Sequence, residues 1–118
     1  MKNYKELGVW QKSIDLVEQV YQVTSAFPLE EKYGLSSQSQ RAATSIPANI
    51  AEGWARGTTK EYIQFLKVAR GSLMELETHL IVANRLKFLP EQKVQSLVGA
   101  IAEIGRMLNG LIKSLNTR

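Results

Sequence analysis

The chain contains no cysteine, which excludes a disulfide framework, thiol catalysis and any Cys-ligated zinc or iron–sulfur site. It has a single histidine, His79. With no nucleophile-elbow pattern among its serines, a Ser/His/Asp system has almost nothing to be built from. His79 stands four residues after Glu75, but di-iron bundles repeat a Glu-x-x-His motif on two helices. Here Thr78 occupies the third position after Glu75 and no second histidine exists. An ordinary i,i+4 side-chain pair is the favoured assignment. Gly53, Gly57 and Gly71 follow no strand, so they point to helix caps and close packing rather than to a phosphate-cradling loop. No apolar run approaches the ~20 residues that span a bilayer. The opening Met1-Lys-Asn-Tyr-Lys-Glu6 has charge without a following apolar run, so no secretory signal is expected. Together these absences predict a non-enzyme of the reducing cytoplasm that needs no metal and no cofactor.

What is present describes a helical domain. The length of 118 residues fits one domain, spanning 1–118, and 44% of the chain is apolar, enough for a real core. The formal charge of +4 and a sequence pI near 9.5 are a modest basic bias, compatible with an anionic partner. No strand alternation, internal repeat or low-complexity segment is visible.

Four helical segments are separated by short punctuation. The first is expected from about Leu7 to Ala26, with Trp10, Ile14, Val17, Tyr21 and Thr24 as its inner stripe and Leu16, Val20, Val23 and Phe27 widening it. Phe27-Pro28 ends it, because a residue before proline is driven from helical angles. Pro28-Leu-Glu-Glu31 can form one short turn before Gly34 breaks the chain again. The second helix is expected from an N-cap near Ser36 to about Arg56, with Ala42, Ala43, Ile46, Ile50 and Trp54 inside and a bend at Pro47. Small residues around Pro47 invite close approach by a neighbour, and Gly57 is the natural stop. Thr58-Thr-Lys-Glu61 opens the third helix as a capping box in which Thr58 and Glu61 satisfy each other's free amides. Tyr62, Leu66, Ala69, Leu73, Leu76, Leu80 and Ala83 then recur in unbroken steps of four and three. The fourth helix begins at Pro90, and Val94, Val98, Ile101, Leu108, Ile112 and Leu115 carry its stripe beside Leu97, Ile104 and Leu111. Short connections force consecutive helices antiparallel. The predicted fold is therefore all-α, an antiparallel up-down-up-down four-helix bundle with helix two kinked at Pro47.

Three groups of residues fall outside this core pattern. Asn49 and Glu52 lie in the middle of helix two and are candidates for a buried polar network reaching Arg41, Arg56 or Arg70; a surface position fits the periodicity equally. On helix three, Ile63, Met74 and Ile81 gather on one flank and are candidates for an oligomer interface, against the alternative of scattered surface hydrophobes. Lys60, Lys67 and Arg85 cluster on the adjoining outer face with Arg70 beside them. With Arg41 and Arg56 these are the candidates for nucleic-acid contact, weighed against a plain solvated face.

The segment Ser45-Ile-Pro-Ala-Asn-Ile-Ala-Glu-Gly53, followed by Tyr62-Ile-Gln-Phe-Leu-Lys-Val-Ala-Arg-Gly-Ser-Leu-Met-Glu-Leu-Glu-Thr78, resembles the bacterial four-helix-bundle family named for intervening sequences in 23S ribosomal RNA genes. Leu7-Gly-Val-Trp-Gln-Lys12 and Phe27-Pro-Leu-Glu-Glu-Lys-Tyr-Gly-Leu35 resemble the same family, so the match runs from the first helix through the third. The resemblance implies a cytosolic bundle that assembles as a ring-like homopentamer. Relatives include accessory proteins of diversity-generating retroelements, which bind a reverse transcriptase and turn a basic surface toward nucleic acid. Where relatives often have paired arginines, Gln40-Arg41 keeps only one, which weakens a basic site there. The expected role is a non-catalytic adaptor for RNA, DNA or an RNA-handling protein. The alternative is a structural homo-oligomer that binds proteins alone.

Overall fold

A computed structural model describes residues 2–117. The helices are α1 (Gly8–Thr24), α2 (Leu35–Ala55), α3 (Thr59–Arg85) and α4 (Glu91–Asn116), with 3₁₀ turns at Tyr4–Glu6 and Leu29–Glu31. They pack as a closed square in chain order, in a body of 46 × 23 × 20 Å. Among the described residues neither diagonal pair, α1 with α3 or α2 with α4, packs directly. No described helix is long and apolar enough to cross a membrane.

The α3 stripe lies inside as the spacing predicts. Leu66, Ala69, Leu73, Leu76, Leu80 and Ala83 are fully buried, and Tyr62 is half-buried. On α4, Val94, Leu97, Ile101, Ile104, Leu108, Ile112 and Leu115 are buried, with Val98 and Leu111 at the margin. Helix α1 departs from expectation. Leu16, Val20 and Thr24 are buried as expected, but Val9 and Ser13 join them, while Trp10, Ile14 and Val17 are half-buried and Tyr21 is 47% exposed. The physical reason is that both buried hydroxyls bond within their own helix. Ser13 Oγ donates to the Val9 carbonyl at 2.7 Å and Thr24 Oγ1 to the Val20 carbonyl at 2.8 Å. Satisfied in this way, the two side chains enter the core without the penalty of an orphaned polar group. Gln40 Nε2 then donates to Thr24 Oγ1 at 3.0 Å and ties α2 to α1.

Helix α2 begins one residue before the expected serine. Ser36 is not the cap; the Leu35 amide donates to Glu31 Oε1 at 3.0 Å, so a carboxylate from the preceding 3₁₀ turn holds the helix start. A side chain at Gly34 would strike that oxygen, at 2.9 Å from an added Cβ. The helix runs through Pro47 without ending, although the missing amide leaves the Ala43 carbonyl without its helical donor. Ala42, Ala43, Ile46 and Ile50 are buried as expected, but Trp54 is 36% exposed and packs beside Tyr4. At Gly53, α2 and α3 come so close that a Cβ would meet Phe65 Cβ at 2.7 Å.

Gly57, with φ of +92°, makes the turn into α3. The cap that follows differs in detail from a reciprocal box. Thr58 Oγ1 accepts from the Glu61 amide at 3.2 Å, but the Glu61 carboxylate accepts from the Thr58 hydroxyl at 2.9 Å rather than from the Thr58 amide. Helix α3 closes in a Schellman arrangement. Lys87 takes the left-handed position (φ +66°), and the amides of Lys87 and Phe88 reach the carbonyls of Asn84 and Ala83. Pro90 stands one residue outside α4, as its cap.

Candidate nucleic-acid interface

Lys60, Lys67 and Arg85 are exposed on the outer side of α3, and none makes an ion pair among the described residues. At about 100° per residue, the line they share also carries Gln64, Gly71, Met74 and Thr78, with Glu75 on its margin. The other three predicted contacts separate. Arg41 is exposed on α2, away from this line. Arg56 pairs with Glu52 at 3.0 Å, and its guanidinium lies over the Phe65 ring at 4.8 Å. Arg70 is half-buried and donates from Nη1 to Asn109 Oδ1 on α4 at 2.9 Å.

That last bond fixes how α3 and α4 run past each other, and it exposes a feature the sequence pattern alone does not show. Residues 62–74 of α3 lie antiparallel to residues 104–117 of α4, held in register by Arg70–Asn109 and by the approach of Gly105 to Leu73. Neither stretch contains an Asp or Glu, and between them they hold Lys67, Arg70, Arg106 and Lys113. Lys67 sits about one turn from Arg70 and Lys113 about one turn from Asn109, toward the same end of the bundle. Arg106 and Lys113 are exposed. They are the candidate residues that sequence reasoning missed. The signal available was the absence of any acid after Glu103, which acquires meaning only once α4 lies beside α3. The first 56 residues hold six Lys/Arg and six Asp/Glu, so the whole net charge of +4 belongs to residues 57–118.

On the α1 side of α4 the charges are paired. Lys12 Nζ lies 2.6 Å from Glu103 Oε1. The hydrogen bond and the attraction between them hold the Lys12 ammonium above its ordinary value and the Glu103 carboxyl below its own.

Of the two polar candidates on α2 one is partly buried and hydrogen-bonded, though to serines and not to an arginine. Asn49 is half-buried and donates to the Ser45 carbonyl at 2.7 Å and to Ser45 Oγ at 2.9 Å. Ser45 in turn meets the Ser72 hydroxyl on α3 at 2.8 Å. Glu52 takes no part in it. It sits one turn further along on the outer surface, where Arg56 pairs with it. Of the predicted interface flank, Met74 is 50% and Ile81 41% exposed, whereas Ile63 is half-buried against the core. A second apolar surface lies on the opposite side of the bundle, where Trp10, Ile14 and Val17 of α1 and Pro47, Ala48 and Ala51 of α2 line a shallow groove. His79 and Glu75 form the i,i+4 pair at 3.3 Å. No group of three metal-ligating side chains occurs among the described residues.

Residues 5–110 match the family described as 23S rRNA-intervening sequence protein. A solved structure aligns with a TM-score of 0.80 at 25% identity, covering 89% of this chain and 98% of the other. It is a protein of unknown function from the S23 ribosomal protein family, from Bacteroides thetaiotaomicron. No functionally curated protein matches the chain.

Proposed function

The chain belongs to the 23S rRNA-intervening sequence protein family, and from that premise we propose that it is a non-catalytic adaptor that binds the phosphate backbone of nucleic acid through α3 and α4. The observation that carries this reading is the pair of facing stretches, 62–74 and 104–117, with four cations and no carboxylate. Inside these stretches no acid separates the cations, although Glu61, Glu75 and Glu103 border them and Glu103 feels the charge of Arg106. The excess of cations creates a field that phosphates relieve, by releasing their condensed counterions. Lys60 extends the surface along α3, since it lies seven residues before Lys67 on the same outer line. Binding of this kind is largely independent of base sequence. In such a role the protein would bring RNA or DNA to an RNA-handling enzyme, a reverse transcriptase being the partner class that the family resemblance implies.

The adaptor acts as a homo-oligomer, a pentamer on the family resemblance. Copies of one chain multiply a patch of few cations into an extended surface. The exposed Met74 and Ile81 on one side and the Trp10–Pro47 groove on the other supply apolar area for such assembly. These same surfaces favour the second reading, a homo-oligomeric protein-interaction module that meets no nucleic acid.

The deciding experiment is an electrophoretic shift series with RNA and DNA at several salt concentrations. Lys67→Gln with Arg106→Gln should weaken binding to every sequence and flatten the salt slope by roughly one unit for each phosphate no longer neutralised. If the unmodified protein shifts no nucleic acid at low salt, the adaptor reading is wrong and the protein-interaction module replaces it.

A further inference from the structure

One end of the bundle gathers the start of α1, the end of α2, the start of α3 and the end of α4, and aromatic side chains cluster there. Tyr4 lies 5.4 Å from Trp10 at an interplanar angle of 51°, and 6.3 Å from Trp54 at 79°. Trp54 remains 36% exposed. It forms one wall of a cleft of about 200 Å³ completed by Gly53, Gly57, Thr58, Thr59, Tyr62 and Leu115. Two of these are glycines, so part of the cleft is bare backbone. An added Cβ at Gly57 would touch nothing within 4 Å, so the space beside the turn is open.

Cations stand near this end of the chain's fold. Lys60 is exposed one residue beyond Thr59, and Lys5 lies 5.9 Å from the Tyr4 ring. Arg56 lies over Phe65. Three carboxylates stand nearby as well: Glu52 is neutralised by Arg56, while Glu6 accepts from the Lys2 amide and Glu61 from the Thr58 hydroxyl and both keep their charge. From Lys60 the line of positive charge continues along α3 to Lys67 and the carboxylate-free stretch.

We infer that this cleft is a stacking site for an unpaired base, and that the nucleic acid the protein prefers is single-stranded. This rests on the phosphate-binding reading above and names its substrate class. Within a duplex both faces of a base are covered by its neighbours, so only a splayed or single-stranded base can lay its π-face on the Trp54 indole. The cleft takes one flat ring system. The phosphates that flank such a base fall to Lys60, and the strand then follows the basic line.

The test is a titration of the intact protein with a twelve-nucleotide RNA, the same DNA sequence and the duplex of each, read by tryptophan fluorescence and by anisotropy of a labelled strand. The single strands should bind more tightly than the duplexes and quench tryptophan emission. Trp54→Ala should weaken single-strand binding by about fivefold to a hundredfold and leave duplex binding close to unchanged. Trp54→Phe keeps an aromatic face and should recover most of the loss. Matching circular dichroism melts for Trp54→Phe and the unmodified protein exclude a folding defect as the source of any change. Duplexes binding as well as single strands, or a Trp54→Ala loss equal for both, overturns the stacking site and leaves the phosphate surface standing. Failure to bind any of the four overturns both. Comparing RNA with DNA shows whether the 2′-hydroxyl contributes.

Discussion

A methyl group placed on Gly53 would lie 2.7 Å from Phe65 Cβ and 3.2 Å from the Tyr62 carbonyl oxygen, so the end of α2 and the start of α3 touch backbone to backbone. Neither atom is the tip of a flexible side chain, and neither can swing aside. Gly53→Ala should therefore separate the two helices and cost about 1–3 kcal/mol. A thermal melt decides it; an unchanged midpoint would mean that the helices are less tightly apposed than the geometry shows.

The α3 stripe gives a second expectation. Leu73 and Leu76 are fully buried, so truncating either to alanine should cost ~2–5 kcal/mol through lost transfer energy and the cavity left behind. Chemical denaturation of the two variants measures it. Tyr33→Ala is the control, since that ring is 86% exposed and should shift the midpoint little.

The interface flank divides on the structure. Met74→Glu and Ile81→Glu place a charge on exposed positions and should lower the assembly mass while leaving helicity intact. Ile63→Glu puts a carboxylate against the core and should lower stability instead. Multi-angle light scattering of the unmodified protein must first return a mass above that of one chain; a monomer at micromolar concentration rules out assembly through this flank.

The α1–α4 ion pair predicts a pH dependence at both extremes. Glu103 is held below its ordinary carboxyl value by the hydrogen bond and charge of Lys12. Its contribution is present above the unfolded carboxyl value and is lost as pH falls through the lowered folded one. Lys12 is held above its ordinary value of 10.5 by the same hydrogen bond and charge, so its contribution is present below that value and is lost as pH rises through the raised one. Both side chains are about half exposed, and salt should blunt the effect. Lys12→Met should remove this dependence from melts measured across the acid range; a Met variant with the same acid profile as the parent would show that the pair contributes nothing.

The sequence by itself determined where the helices are and what breaks them. Proline at 28, glycine at 34 and 57, and the unbroken stripe from Leu66 to Ala83 act through bonds and sterics within a few residues, so their effect is visible without the fold. Tertiary structure decided what faces what. It turned α1 so that Ser13 goes inside, Trp10 is only half-buried and Tyr21 stays at the surface. Hydropathy counts each side chain as if isolated and cannot see a hydroxyl satisfied by its own helix. The same limit hid the cap that Glu31 lends to α2 and the exposure of Trp54 at the bundle end. Arg106 and Lys113 were plain in the sequence as charges. They became part of a surface only when packing set α4 beside α3, through an Arg70–Asn109 bond between residues 39 apart in the chain.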